Sequence, residues 1–297
     1  MVDLGVVEGP GRDFVMPPVV EEHTRAWLAL AEPERTVAVP RPSSTVMILR
    51  EPRDGSSGVE VFVLRRASSM PFAPGMVAFP GGGVDPRDAD PDVPWAGPSP
   101  RRWADRLGTD ESVARELVGA AAREVFEECG VLLAGPAPDR VVADLTHESW
   151  EEERQSVLAR EQGFGELLTR RGLLLRSDLL SLRAHWTTPV CEPRRYDTRF
   201  FAARLPEGQR AAHLTTEAER VAWARPGAVL EAQREGRELL LPPTQVMLEH
   251  LTRVEDLDGW LAAAPAVTRV QPWPVERDGA LWMRCPAEVG PAQEAGV

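Results

Sequence analysis

Ala121-Ala-Arg-Glu-Val-Phe-Glu-Glu-Cys-Gly-Val-Leu-Leu133 is the stretch of sequence that decides the fold. Its residues favour the second half of a helix that ends at a glycine. Glu124, Glu127 and Glu128 stand at i, i+3 and i+4, so at about 100° per residue they share an arc of roughly 100° on one side of that helix. Carboxylates this close repel one another unless a cation lies among them, which predicts a metal site.

This stretch resembles the core of the Nudix box. In that motif a Gly is followed after five residues by Glu, and after seven more by Arg-Glu, an aliphatic residue, any residue, Glu-Glu, any residue, Gly and an aliphatic residue. The segment from Arg123 to Val131 matches the second part at every specified position. Phe79-Pro-Gly-Gly-Gly-Val-Asp85 resembles the strand and loop that open the box, with Gly82 as the motif glycine.

The two parts of the box are separated by an insertion. Arg123 lies 41 residues beyond Gly82, where the motif spacing gives 14, so 27 residues are inserted. Counting back from Arg123, the first Glu of the motif falls on Arg115, and that position is lost or taken in part by Glu116. The insertion, at about residues 86–108, is dense in Asp, Pro and Trp. We expect a surface excursion there, with a turn of helix at residues 101–106.

A second segment supports a closer resemblance. Residues 184–203 contain a Trp before a Thr-Pro step, then Arg-Arg, an aromatic residue, Asp-Thr and two Phe. This order is similar to that in the branch of Nudix hydrolases with a long box insertion, which includes the peroxisomal coenzyme A diphosphatase. The resemblance implies an α/β fold, a Nudix-type α/β/α sandwich with a mixed sheet, a catalytic helix and extra helices.

The domain organisation follows from the extent of this likeness. We predict an N-terminal arm over residues 1–40 and a Nudix domain over residues 41–290, with its box split between 81–85 and 115–131. A C-terminal tail is predicted over residues 291–297. Residues 45–50 and 59–65 are expected to form an opening hairpin, and helices are expected over 147–161 and 165–171.

The amino-acid composition and net charge argue against several classes of function. The chain has 297 residues and a net charge of -12, and every basic residue is Arg. An acidic protein lacks the basic surface that nucleic acid binding needs, so no nucleic acid partner is expected. The cysteines Cys129, Cys191 and Cys285 form no closely spaced pair, which argues against a disulfide framework or a zinc site. No signal peptide or membrane span is evident, so we expect a cytoplasmic protein without a membrane partner.

The resemblance implies site residues and a reaction. Metal ligands would be Glu124, Glu127, Glu128 and Gly82, holding Mg²⁺ or Mn²⁺, with Arg123 positioning Glu127. The expected general base lies outside the box and is Glu217, with Glu219 in reserve. Expected substrate contacts are Arg65, Arg66, Phe79, Arg194 and Arg195.

Three functions remain open on the sequence. The first is hydrolysis of coenzyme A or acyl-coenzyme A to 3′,5′-ADP and (acyl-)4′-phosphopantetheine. The second is hydrolysis of another small nucleotide, such as ADP-ribose, NADH or a dinucleotide. The third is a catalytically silent Nudix-fold ligand sensor, which the intact motif disfavours. An oligomer is compatible with each of the three functions.

Overall fold

The computed structural model describes residues 11–70, 72–212 and 214–286. The helices are α1 Pro18–Ala29, α2 Pro100–Leu107, α3 Glu111–Cys129, α4 Glu148–Leu158, α5 Phe164–Arg171, α6 Pro226–Arg234, α7 Pro242–Leu251 and α8 Leu257–Ala262. The strands are β1 Gly11–Val15, β2 Arg41–Arg50, β3 Glu60–Arg66, β4 Val77–Ala78, β5 Gly81–Gly83, β6 Trp95–Ala96, β7 Ala134–Gly135, β8 Leu174–Arg176, β9 Ser181–Thr187, β10 Tyr196–Arg204, β11 Ala218–Ala224, β12 Arg269–Val270, β13 Trp273–Arg277 and β14 Ala280–Pro286. The helices expected over 147–161 and 165–171 are confirmed as α4 and α5.

A mixed sheet forms the middle layer of the molecule. Its strand order is β11-β3-β2-β10-β9-β12, and β4 and β5 pair with β3 and β2. Strand β2 is antiparallel to β3, which confirms the opening hairpin, and parallel to β10. Since successive side chains of a strand point to opposite faces, Val46 and Ile48 enter one core while Met47 and Leu49 enter the other.

Helices cover both faces of this sheet. The first core receives Trp103 from α2, Val118 from α3, Val157 from α4 and Leu167 from α5. The second core receives side chains from the remaining layer, namely Val229 of α6, Val246 of α7 and Leu257 of α8. The expected α/β/α sandwich with a mixed sheet is therefore confirmed.

Helix α3 places the acidic stretch against the sheet. The Asp110 carboxylate accepts a hydrogen bond from the Val113 backbone N–H at 2.9 Å and caps the helix N-terminus. Gly130 ends it in the left-handed conformation, with φ at 68°. The apolar stripe that faces the core is at most 1% exposed and comprises Ala114, Leu117, Val118, Ala121 and Val125. Each buried Leu or Val contributes about 1.5–3 kcal/mol, so this face anchors the acidic face beside it.

The insertion is more deeply packed than the sequence predicts. The turn of helix expected at residues 101–106 is present as α2, and Ser99 caps it. Trp103 is fully buried, and its ring meets that of Phe201 at 5.8 Å between centroids. The expected surface excursion was therefore wrong for residues 100–107, because the apolar face of α2 fills part of the first core.

The chain ends bear on the predicted domain boundaries. Residues 11–40 contain β1, which pairs with β14, and α1; Phe14 and Met16 are buried in the second core. The segment predicted as an arm is thus packed against the domain from residue 11 onward. The predicted tail, residues 291–297, lies outside the described residues, and the boundaries at residues 40 and 290 stay predictions.

No helix in residues 11–70, 72–212 or 214–286 combines the length and the apolarity that a membrane crossing requires.

Candidate active site

The glycine loop and the acidic end of α3 meet at the edge of strand β2. Strand β5 runs antiparallel to β2, which places Gly81 and Gly82 over α3. The Gly81 N–H donates a hydrogen bond of 2.9 Å to the Glu128 carboxylate. A Cβ on Gly82 would lie 2.6 Å from both Glu124 carboxylate oxygens, so the present position of that carboxylate requires glycine here. The structure therefore brings together Gly82, Glu124 and Glu128, as predicted.

Arg123 is the centre of a buried polar network. Its Nη1 donates to Glu124 at 2.7 Å and to Glu127 at 3.2 Å, the second being the pair expected from the i, i+4 spacing. Its Nη2 donates to the Gly83 carbonyl at 2.8 Å. One guanidinium thus fixes two carboxylates of α3 and the glycine loop in a common arrangement.

Asp88 is a member of this network that the sequence reading missed. The Arg123 Nε donates to the Asp88 carboxylate at 2.9 Å, and Asp88 is only 8% exposed. Counted forward from Gly82, Asp88 occupies the first acidic position of the motif, whereas counting back from Arg123 led to Arg115. The insertion lies after this acidic residue, so a forward count from the glycine would have found it.

Arg115 and Glu116 do not contact Arg123. The Arg115 guanidinium carbon lies 5.6 Å from the Trp95 ring centroid, and its buried Nη1 has no hydrogen-bond partner among the described residues. The expectation that Glu116 replaces the first Glu in part is corrected, because Asp88 makes the contact to Arg123.

Burial sets the electrostatics of the carboxylates. It raises the pKa of Glu124 to about 7, although Arg123 opposes the shift. The pKa of Glu128 lies well above its usual range because the group is buried and faces Glu124. Burial also raises the pKa of Glu127. A single guanidinium does not offset three buried carboxylates, so the site favours an additional cation.

The donor set fits a hard divalent cation. Carboxylate oxygens are the ligands that Mg²⁺ and Mn²⁺ prefer, and Mg²⁺ is often held by one or two carboxylates together with water and substrate phosphates. Within the described ranges, no three His, Cys, Asp or Glu side chains already converge on one point. The residues suit an open site of this kind rather than a closed cage of protein ligands.

The two carboxylates predicted outside the box differ in their surroundings. Glu217 is exposed and lies near enough to Glu128 to raise its pKa further. The Glu219 carboxylate accepts hydrogen bonds from the Ser68 N–H at 2.9 Å and from the Ser68 hydroxyl at 2.7 Å. Glu217 is thus the one beside the acidic cluster, and its role as a base stays a prediction.

One of the five predicted substrate contacts, Arg66, lies at the acidic cluster. Arg66 lies close enough to Glu128 to lower the pKa of that carboxyl, and its Nε donates to the Phe72 carbonyl at 3.1 Å. Its neighbour Arg65 pairs with Glu238 at 3.3 Å, in a groove between β3, β11 and α6. Alternation along β3 therefore separates the predicted arginine pair.

The remaining predicted contacts lie in other surroundings. Phe79 is 3% exposed and belongs to the second core. Arg194 is exposed. Arg195 is buried and donates to the Thr188 carbonyl, the Ala38 carbonyl and the Gln271 side chain. Their roles in substrate binding stay predictions.

Comparison with known proteins identifies the family of this site. A family model described as the NUDT19 Nudix domain matches residues 100–254, which is more than half of the chain. The chain belongs to the Nudix hydrolase family. Within the family it falls in the NUDT19 branch, as the sequence resemblance indicated. Nudix hydrolases generally use divalent metal ions and act on small nucleotide-containing substrates, in agreement with the donor set of the site.

Individual relatives agree with this assignment. The chain is 27% identical over 228 residues to the acyl-coenzyme A diphosphatase NUDT19 of Gallus gallus, covering 64% of this chain and 60% of that protein. It is 25% identical over 228 residues to the protein of the same name from Xenopus laevis, covering 65% and 59%. The chain thus spans about 60% of the length of these curated relatives.

A solved structure supports the Nudix fold. The crystal structure of a Nudix hydrolase from Alicyclobacillus acidocaldarius superposes with a TM-score of 0.66 at 25% identity, covering 77% of this chain and 98% of that one.

Proposed function

We propose that this protein is a metal-dependent diphosphatase that cleaves coenzyme A or acyl-coenzyme A to 3′,5′-ADP and (acyl-)4′-phosphopantetheine. The observation that carries the proposal is the buried network in which Arg123 holds Asp88, Glu124 and Glu127 beneath the glycine loop. This network preserves the acidic end of the Nudix motif despite the insertion, so we expect a working site rather than a silent ligand sensor.

The proposed reaction is attack of water on one phosphorus of the diphosphate. The bond from that phosphorus to the bridging oxygen breaks, and the departing phosphate retains the oxygen with its electron pair. Glu217, exposed beside Glu128, would accept the proton of the attacking water. Arg123 keeps Glu124 and Glu127 oriented while this occurs.

The residues proposed to hold Mg²⁺ or Mn²⁺ are Glu124, Glu127 and Glu128, with Gly82 at their side. When bound, the cation neutralises charge on phosphate oxygens and lowers the pKa of water. The Gly81 N–H orients the Glu128 carboxylate, and the absence of a side chain at Gly82 leaves room beside Glu124. These residues form the predicted metal site, which stays a proposal.

The substrate class is supported by the names of the relatives and by a basic side chain near the site. Two relatives are called acyl-coenzyme A diphosphatases, and Arg66 lies beside Glu128 with its Nε anchored to the Phe72 carbonyl. Arginine is suited to bidentate phosphate contact, so Arg66 is the residue that we propose as a phosphate contact among the five expected from the sequence.

Product analysis by mass spectrometry tests this function. The purified protein would be incubated with Mg²⁺ or Mn²⁺ and, separately, coenzyme A, acyl-coenzyme A, ADP-ribose, NADH or a diadenosine polyphosphate. We expect 3′,5′-ADP from coenzyme A and its thioesters, and none in the presence of EDTA. Cleavage of another compound alone would change the assigned substrate and leave the diphosphatase activity in place. No hydrolysis of any compound with either metal would contradict the proposed activity.

A further inference from the structure

A basic residue outside the Nudix box lies at the acidic cluster. Arg160 follows α4 and lines a small pocket together with Glu127, Arg123 and Asp88. Its positive charge is near enough to Glu127 to lower the pKa of that carboxyl. Arg160 therefore lies in one pocket with Glu127, one of the proposed metal ligands, although it is far from the box in sequence.

The Arg160 guanidinium differs from the other arginines of this pocket in having no partner among the residues that the structure describes. Arg123 is committed to Asp88, Glu124 and Glu127, and Arg87 to Asp85 at 2.9 Å. For Arg160, by contrast, the part of the chain that the structure describes provides no hydrogen bond or ion pair within 4.0 Å of the guanidinium. This charge is thus available to a ligand of the pocket.

The backbone at Arg160 is held in a conformation that favours glycine. Its φ is 60°, in the left-handed region that residues with a Cβ adopt infrequently. Helices α2, α3 and α5 are each followed directly by a left-handed glycine, namely Gly108, Gly130 and Gly172, whereas α4 is followed first by Ala159 and then by the left-handed Arg160. The left-handed residue after α4 is thus an arginine, whose charged side chain a glycine would not supply.

Neighbouring groups fix the Arg160 backbone in place. Its N–H donates to the Val157 carbonyl at 2.9 Å, and its carbonyl accepts a hydrogen bond of 3.2 Å from Arg87, which directly precedes Asp88. The next turn is closed by the Glu161 N–H, which donates to the Ser156 carbonyl at 2.9 Å. Because the backbone is anchored on both sides, the side chain can act without prior ordering of the loop.

We propose that Arg160 is a further catalytic residue that binds a non-bridging oxygen of the substrate diphosphate and stabilises the charge that develops there as the bridging bond breaks. This inference rests on the proposed function. The carboxylates of the pocket repel a phosphate, and Arg87 and Arg123 are already paired with carboxylates, so the Arg160 guanidinium is the charge of this pocket that can attract the phosphate. The ligand recognised is the diphosphate shared by the candidate substrates.

Three substitutions of Arg160 test this inference. Arg160→Gly and Arg160→Asn remove the charge but keep a residue that accepts the left-handed conformation, and Arg160→Lys keeps the charge without the planar fork. We expect kcat/KM to fall about 10- to 100-fold in the Gly and Asn variants, and by less in the Lys variant. Their melting temperatures should be no lower than that of the wild type.

Asp278→Gly is the matched control. Asp278 has φ at 51° and lies in the turn between β13 and β14, outside the sheet that carries the site. We expect this variant to keep wild-type kcat/KM.

The outcomes separate this inference from the proposed function. No turnover by the wild type would contradict the proposed function itself. Wild-type kcat/KM in Arg160→Gly and Arg160→Asn, with an active wild type, would overturn only the role of Arg160. A loss confined to low pH would also overturn it, because Arg160 would then act through ionisation of Glu127 and not through the substrate.

Discussion

Replacing Glu124 by Gln should stabilise the metal-free protein while removing its activity. Burial raises the pKa of Glu124 from the usual 4.5 to about 7 in the folded state. Below pH 4.5 the carboxyl is protonated in both the folded and the unfolded state and contributes nothing. Between pH 4.5 and about 7 the unfolded state releases its proton first, so the free energy of unfolding falls as the pH rises.

The size of this effect follows from the pKa shift. A difference of roughly 2.5 pKa units corresponds to about 3 kcal/mol, which ionised Glu124 removes from the stability of the folded state above pH 8. Glutamine imitates the protonated carboxyl and avoids this cost. Its effect on Glu128 acts in the same direction, because Glu124 raises the pKa of Glu128.

Urea unfolding in EDTA at pH 5 and pH 8, followed by circular dichroism, measures the difference. We expect Glu124→Gln to exceed the wild type by about 2–3 kcal/mol at pH 8 and by less than about 1 kcal/mol at pH 5. Glu152→Gln, at an exposed site on α4, should differ from the wild type by less than about 0.5 kcal/mol at both pH values. The reasoning would be refuted if Glu124→Gln were less stable than the wild type at pH 8. It would also be refuted if the free energy of unfolding differed from the wild type by the same amount at pH 5 and pH 8.

Three further substitutions, two of them with a matched control, test the rest of the site. Asp88→Ala should lower kcat/KM by about tenfold or more and reduce stability, because it leaves Arg123 with one partner fewer, whereas Glu116→Ala should leave activity within about twofold. Steady-state kinetics compares the pair, and equal effects would contradict the placement of Asp88 in the motif. Gly82→Ala should lower kcat about tenfold or more, since its Cβ would lie 2.6 Å from the Glu124 oxygens and displace that carboxylate; unchanged activity would show that the position of the carboxylate is not required. Glu217→Gln should lower kcat on the order of 100-fold or more, whereas Glu219→Gln should affect kcat by less than about threefold. The reverse ranking would make Glu219 the base.

Much of the catalytic helix could be predicted from sequence because its signals are local. The spacing of Glu124, Glu127 and Glu128 depends only on helical periodicity, and Gly130 ends the helix through its own backbone conformation. The apolar stripe beside them required burial against a sheet. The fold class followed from these signals together with the resemblance.

The rest of the site depends on contacts between distant segments. Asp88 reaches Arg123 across 35 residues of sequence, and the direction in which the motif was counted decided whether it was found. Arg65 and Arg66 were predicted together, but alternation along β3 directs them to different surroundings. Arg160 gave no sequence signal, because neither its backbone conformation nor its position beside Glu127 is encoded within a short segment.

The burial of Trp103 was missed for a related reason. The many Asp and Pro residues of the insertion indicated a surface segment, yet the short amphipathic stretch of α2 packs on β10. The composition of the whole insertion therefore did not predict the burial of α2 at its end.

The central claim is that the acidic end of α3 is the metal-dependent catalytic centre. The most direct measurement is the rate of coenzyme A hydrolysis by the wild type and by Glu128→Gln in Mg²⁺, each repeated in EDTA, with circular dichroism to verify the fold. We expect the wild-type rate to disappear in EDTA and Glu128→Gln to be slower on the order of 1000-fold with an unchanged spectrum. A folded Glu128→Gln protein that hydrolyses coenzyme A at the wild-type rate would contradict the claim.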